Sequence, residues 1–90
     1  MKEQFIPVST IVAYNTKGDM KPIFFRYGED CIQVTIKSRN DGIKNQEFTC
    51  RYIDKYTECE KEVILVYNDF DNVWYIKRRC EFFSVNSDLL

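Results

Sequence analysis

The stretch that decides the fold runs from residue 63 to residue 79 and reads VILVYNDFDNVWYIKRR. It opens with a continuous apolar run, rich in β-branched residues, which is typical of a strand buried on both faces. Asn68–Asn72 follow, and Asn and Asp side chains bond nearby backbone groups in turns. Val73–Lys77 then returns with the only tryptophan, Trp74. The stretch therefore predicts two strands joined by a short polar loop.

Period-two alternation of apolar and polar residues predicts further strands on the N-terminal side of this stretch. It is clearest where Ile32, Val34 and Ile36 point inward and the residues between them point outward, a pattern typical of an antiparallel sheet. A short lead-in, Phe5–Val8, is predicted to be an edge segment because Pro7 cannot donate to a ladder. The six predicted strands are Ser9–Tyr14, Lys21–Tyr27, Cys31–Ser38, Glu47–Asp54, Glu60–Tyr67 and Val73–Arg78.

The connections are short and polar. Residues 38–46, SRNDGIKNQ, are predicted to form the longest and most mobile loop, because they offer little to bury. Residues 54–63 have the Glu and Lys content of a helix but no good stop signal, so a single helical turn remains an alternative there. Residues 80–83, CEFF, are predicted to dock as a last short strand, and residues 84–90 are predicted to fray.

These elements predict an all-β fold. Five to six short strands at regular spacing indicate an antiparallel meander, which is too small to form two full sheets. It buries one face by curling, so we expect a strongly bent sheet or a small half-open, SH3-like barrel. Residues 1–90 form one small β domain with its core in residues 9–83 and a frayed tail in residues 84–90.

Composition argues against catalysis. The chain contains no histidine, so Ser-His-Asp, Cys-His and His-metal sites are all excluded. Its three glycines stand far apart and form no phosphate-binding loop, and none of the four cysteines belongs to a Cys-x-x-Cys pair. We therefore expect no catalytic residue, no metal and no cofactor. The cysteines are interpreted as small hydrophobic residues in or near the core.

The same reasoning places the protein in the cytoplasm. No long apolar run follows the N-terminal MKEQ, so we expect no signal peptide, and no segment is long and apolar enough to cross a membrane. Thiols that form no close pairs fit a reducing compartment. The net charge of −1 argues against a generic electrostatic nucleic-acid binder but leaves room for a local basic patch.

One such patch is predicted on the last strand. Alternation puts Trp74, Ile76 and Arg78 on one face and Tyr75, Lys77 and Arg79 on the other. A ring beside two cations suits a nucleic-acid strand, because rings stack on bases and cations meet phosphates. The alternative is a solvated strand whose cations pair with acids across the sheet. The candidate nucleic-acid-binding residues are Tyr75, Lys77, Arg79, Arg26, Lys37, Arg39 and Arg51.

Self-association is the other hypothesis. Val63 and Leu65 lie on one face of their strand, and Ile64 and Val66 lie on the other. A short chain has difficulty covering both faces, and large exposed apolar patches mark interfaces. A small sheet also has exposed edges that can add a strand. These features favour a homodimer and a protein-binding role, with nucleic-acid binding as the alternative.

Two motifs carry a family resemblance. Residues 22–28, PIFFRYG, are followed by an alternating strand, and residues 72–78, NVWYIKR, close the pattern. Over residues 21–79 the chain resembles a family of small bacterial all-β domains of unknown function. Related domains are appended to some Y-family DNA polymerases. The resemblance implies an all-β fold and an accessory nucleic-acid-binding or protein-binding role, and it supplies no catalytic residue.

Overall fold

Eight antiparallel strands account for most of the chain. The structure is a computed structural model that describes residues 2–80, with side chains for residues 4–78. The strands are β1 (Lys2–Val8), β2 (Thr10–Tyr14), β3 (Met20–Tyr27), β4 (Asp30–Gln33), β5 (Thr35–Asp41), β6 (Asn45–Ile53), β7 (Glu60–Asn68) and β8 (Val73–Cys80). The predicted docking of residues 80–83 and fraying of residues 84–90 concern positions that lie outside the described residues, apart from Cys80 at the end of β8.

The strands form two sheets, which corrects the expectation that the meander is too small to form two. One has five strands in the order β1-β8-β7-β6-β5, and the other has three in the order β2-β3-β4. Within each sheet, every pair joins strands that are consecutive in sequence except that β1 pairs with β8, so the predicted all-β meander is confirmed. The expectation of a barrel is not met: within residues 2–80 both sheets keep two free edges and do not close.

The chain changes sheets at Val34, which splits the predicted strand Cys31–Ser38 into β4 and β5. Val34 is buried, and its amide donates to the carbonyl of Ile23 in β3 (2.8 Å). Ile32, on β4, and Ile36, on β5, both pack against the core, so the predicted inward face survives the split. The predicted number of five to six strands was wrong for two reasons, since the structure has eight within residues 2–80. The chain passes between the sheets at one buried residue without a break in the alternation, and the predicted lead-in Phe5–Val8 is part of a full strand, β1.

Residues 38–46 are mostly strand, which corrects the predicted long loop. β5 extends to Asp41 and β6 begins at Asn45, so only residues 42–44 lie outside strands. Arg39 holds the hairpin by donating to Asp41 (2.9 Å) and to Gln46 on the paired strand (3.2 Å). Polar residues suit this position because β5 is an edge strand and one of its faces meets water.

The connection between β6 and β7 is a tight turn and not a helix. The amide of Glu58 donates to the carbonyl of Asp54 (2.7 Å), which closes one helical turn that does not continue. Glu58 has a positive φ of 61°, and this left-handed residue reverses the chain. No residue between 2 and 80 is helical.

The core lies between the two sheets. Phe48 and Leu65, which face each other in the β6–β7 register, are fully buried. The indole of Trp74 packs between two rings, with its centroid 5.6 Å from that of Phe48 and 5.3 Å from that of Tyr67. Phe25 is the main contribution of the three-stranded sheet to this cluster. The face with Phe48 is therefore the inner face of the five-stranded sheet, as the alternation predicts.

The opposite, outer face of the five-stranded sheet also buries a residue. Val66 is only 1% exposed, and its register partners are Tyr75 and Glu47. Phe5 meets the ring of Tyr75 edge-on (6.2 Å, 83°) and lines the same small recess as Val66. One residue on each face of this strand, Leu65 and Val66, is therefore buried within a single chain, whereas Val63 and Ile64 are half-buried. The premise from which the sequence predicted a dimer holds only for the latter two, and the dimer itself stays a prediction.

Candidate functional site

The predicted aromatic and basic strip on β8 is engaged within the chain. Tyr75 and Lys77 lie on the outer face, as predicted. The Tyr75 hydroxyl lies 3.4 Å from a carboxylate oxygen of Asp71. Lys77 pairs with Glu47 (3.0 Å), and the side chains of Lys77 and Glu47 are half-buried. The side chain of Arg79 lies outside the described ones. The ring of Tyr75 and the ammonium of Lys77 therefore pack on the outer face of the sheet. For Lys77 this agrees with the alternative stated above, in which cations of this strand pair with acidic residues across the sheet.

The remaining predicted cations do not form one strip. Lys37 pairs with Glu62 (2.6 Å) and Arg51 pairs with Glu60 (3.5 Å), whereas Arg26 lies exposed on β3 in the other sheet. These exposed pairs each contribute only about 0.2–1 kcal/mol.

Arg39 is part of β5 and does not begin a loop as predicted. Its guanidinium lies on the inner face over the ring of Phe48, 5.5 Å from the centroid, and pairs with Asp41 (2.9 Å). The predicted nucleic-acid-binding residues are thus distributed over two sheets and both faces of the larger one.

Three of the four sheet edges carry features that discourage pairing with another chain. β1 contains Pro7, which has no amide hydrogen, and β4 is only four residues long. β5 contains charges and its own bulge, because Lys37 has no partner between the pairs Ile36–Cys50 and Ser38–Thr49.

The edge of β2 differs from these three. Its five residues, TIVAY, include no charge and no proline. The register shift beside β2 leaves out Ile23 of β3, so β2 itself continues without interruption. Ile11 is 56% exposed, and Tyr14 is exposed as well. β2 is therefore an uncharged, regular and partly apolar edge, the kind that pairs with other chains.

A cleft opens where the two sheets diverge. Its volume is about 1260 Å³, and its walls are the β3–β4 hairpin on one side and β6, β7 and β8 on the other. The ring of Phe25 contacts that of Tyr52 edge-on (5.9 Å) at its base. Near its rim the Lys55 ammonium donates to Asp30 (2.7 Å) and so connects the β6–β7 turn to the first residue of β4.

The turn at the mouth of the cleft is organised by one carboxylate. Asp54 accepts hydrogen bonds from Lys61 (2.8 Å) and from the backbone amides of Tyr56 (2.8 Å) and Thr57 (3.2 Å). Lys61, followed by these two amides, lowers the pKa of Asp54 from 3.8 to about 2, because all three favour the charged form. The charged form of Asp54 thus stabilises the fold.

This lowered pKa predicts an acid-dependent loss of stability. The contribution of Asp54 is fully present above its ordinary pKa of 3.8 and is lost as the pH falls through about 2. Asp54→Asn keeps an acceptor oxygen for the two amides but has no carboxylate to protonate. We therefore expect this variant to lose less stability than the parent chain when the pH is lowered from about 4 to about 2. The measurement is the free energy of unfolding at several pH values, followed by Trp74 fluorescence. Lys61→Met should reduce the same pH dependence, and unchanged behaviour in both variants would contradict the assignment.

The cysteines divide into two environments. Cys50 is buried, and desolvation raises the pKa of its thiol to about 11, so it remains neutral and packs as a small hydrophobic residue, as predicted. Cys31 and Cys59 are exposed and free, which corrects the expectation of core positions for them. The side chain of Cys80 lies outside the described ones. Among the described residues, no cluster of three or more histidine, cysteine, aspartate or glutamate side chains could hold a metal ion.

The β2 edge and the cleft are the features that sequence reasoning missed. The signal for β2 was present, because TIVAY has no charge in a chain that is 30% charged. The cleft left no such signal, since it depends on how two sheets diverge. The part of the chain that the structure describes also contains no helix with the length and apolar character required to span a bilayer.

Comparison with known proteins adds no relative. No protein-family model, curated protein or solved structure matches the chain. The resemblance to small bacterial all-β domains therefore stays a prediction.

Proposed function

We propose that the protein is a non-enzymatic interaction module that associates with a second copy of itself through the edge of β2. The observation that carries this proposal is the contrast among the four edges. β1 contains a proline, β5 contains charges and a bulge, and β4 has only four residues. β2 has none of these features. Edges of that kind pair with other strands because half of their backbone donors and acceptors have no partner in the sheet.

A second copy is the partner that this edge fits. Antiparallel pairing centred on Val12 places each Ile11 opposite an Ala13 of the second copy and is self-complementary, as a two-fold interface requires. Two three-stranded sheets would then join into one sheet of six strands. No charge is desolvated, because β2 contains none. Free thiols on the surface support a reducing location, and we place the module in the cytoplasm.

The test compares two isoleucines of similar exposure on different strands. Ile11→Lys places a charge on the β2 edge, whereas Ile53→Lys alters a residue of β6 that is 61% exposed and remote in sequence from that edge. Mass by sedimentation equilibrium over a range of concentrations should show a dimer for the parent chain and for Ile53→Lys. Ile11→Lys should weaken association at least about tenfold. A parent chain that stays monomeric throughout, or equal losses in both variants, would overturn the proposal.

Nucleic-acid binding has less support from the arrangement of cations. Lys37, Arg39, Arg51 and Lys77 each face an acidic partner, and Tyr75 contacts Phe5. A single-stranded DNA column at low ionic strength tests this alternative, because phosphate contacts are strongest there. Retention that Lys77→Ala abolishes would favour it over a purely protein-binding role, and we expect no retention.

A further inference from the structure

The larger sheet forks between β7 and β8. The β7–β8 register runs from Asn68–Val73 to Ile64–Lys77 and stops there. β7 nevertheless continues through residues 60–63, which pair with β6, and β8 continues through residues 78–80, which pair with β1. Among residues 2–80, each strand thus pairs on one side only in this region, and the two strand edges are not joined to each other.

The cleft described above reaches into this fork. It is lined by five consecutive residues of β7, residues 60–64, and by three consecutive residues of β8, residues 76–78. Consecutive side chains of a strand point to opposite faces of the sheet. The cleft therefore touches residues that belong to both faces of the sheet and lies along the facing ends of the two strands. In the part of the chain that the structure describes, no strand pairs with residues 60–63 on this side of β7, and the cleft lies beside them.

The walls are suited to an extended segment with little charge. Exposed apolar or aromatic side chains surround the opening, among them Tyr27, Ile53 and Tyr56. The charged residues of β7 are already neutralised: Glu60 by Arg51, Lys61 by Asp54 and Glu62 by Lys37. The Lys55–Asp30 pair, which also lines the cleft, joins the β6–β7 turn to the beginning of β4.

We propose that the fork binds an extended segment of a partner protein, which adds as a strand to residues 60–63 of β7. Backbone hydrogen bonds supply affinity in this mode, and every second side chain of the added strand supplies specificity. The segment that fits has β-branched or aromatic residues at alternate positions and few charges, since the three charged residues of β7 that it would lie beside already pair with other side chains of this chain. This site is separate from the β2 edge and does not depend on dimerisation.

A displayed library of random peptides about ten residues long, the upper length of an ordinary strand, tests this site. Selection against the parent chain should enrich peptides with alternating β-branched or aromatic residues. Binding of an enriched peptide, measured by fluorescence anisotropy, should weaken at least about tenfold in Ile53→Lys and remain unchanged in Ile11→Lys. Hydrogen exchange should slow at amides of residues 60–63 when the peptide is bound. Circular dichroism confirms that both variants are folded.

The two variants keep this proposal distinct from the proposed dimer. If the parent chain dimerises and Ile11→Lys is monomeric but still binds the peptide, both proposals are supported. If the parent chain is itself monomeric and binds the peptide, only the proposal of a binding site at the fork is supported. The fork proposal is overturned if no peptide is enriched, if Ile53→Lys binds the peptide as the parent does, or if protection appears on another strand. It is also overturned if Ile53→Lys abolishes dimerisation, because the occupant would then be a second copy.

Discussion

Phe48→Ala is expected to lower the free energy of unfolding by about 3–5 kcal/mol, which is a large part of the total for a small domain. Phe48 is completely buried, and its ring contacts Trp74 and lies beneath the guanidinium of Arg39. The cavity left by the ring lies between two sheets that are each held by their own hydrogen bonds, so neither can easily collapse into it. Urea denaturation followed by Trp74 fluorescence measures the loss.

Phe70→Ala is the matched control, because it removes the same ring from a position that is 70% exposed. The Lys44 ammonium lies 5.6 Å from the centroid of the exposed Phe70 ring, so the expected loss is below about 1 kcal/mol. Similar losses at positions 48 and 70 would show that the core does not lie between the sheets.

Val66→Asp is expected to prevent folding. Val66 is 1% exposed on the outer face, between the register partners Tyr75 and Glu47. A carboxylate there would be desolvated beside the existing carboxylate of Glu47, and burying an unpaired charge costs several kcal/mol. The expected observations are a circular dichroism spectrum without a cooperative transition and rapid proteolysis.

Two further variants test whether the loss of folding in Val66→Asp comes from burial of the carboxylate or from substitution of any residue on the outer face. Val66→Thr keeps the shape and adds one hydroxyl, so a folded protein with a loss of about 1–3 kcal/mol is expected. Ile53→Asp places the same carboxylate on the same face at an exposed position and should fold normally. A stable Val66→Asp variant would mean that the outer face is open to water.

Period-two alternation predicted the part of the fold that depends on local pattern. In β6, alternation places Phe48 and Cys50 on one face and Thr49 and Arg51 on the other, and in the structure the first two are buried whereas Thr49 is half-buried and Arg51 is exposed. It did not predict the transfer between sheets at Val34, because alternation is the same whether a strand continues or changes sheets. It also missed β5 beyond Ser38, where polar residues occupy an edge strand.

The candidate site was less predictable than the fold. The sequence placed Tyr75 and Lys77 on the outer face, but their partners Asp71 and Glu47 follow from the turn geometry and from a register that spans two strands. The fork depends on where a ladder ends. Ile64 and Lys77 pair, and nothing in the neighbouring residues indicates that the next pair does not form.

The position of β1 has a consequence for the order of folding. Strands β2 to β4 and β5 to β8 pair with sequence neighbours, whereas the β1–β8 ladder joins Lys2 to Cys80 across nearly the whole chain. Closing so long a loop costs more entropy than forming a hairpin. The β1–β8 ribbon should therefore form after the rate-limiting step, so substitutions in β1 should accelerate unfolding and leave the refolding rate almost unchanged.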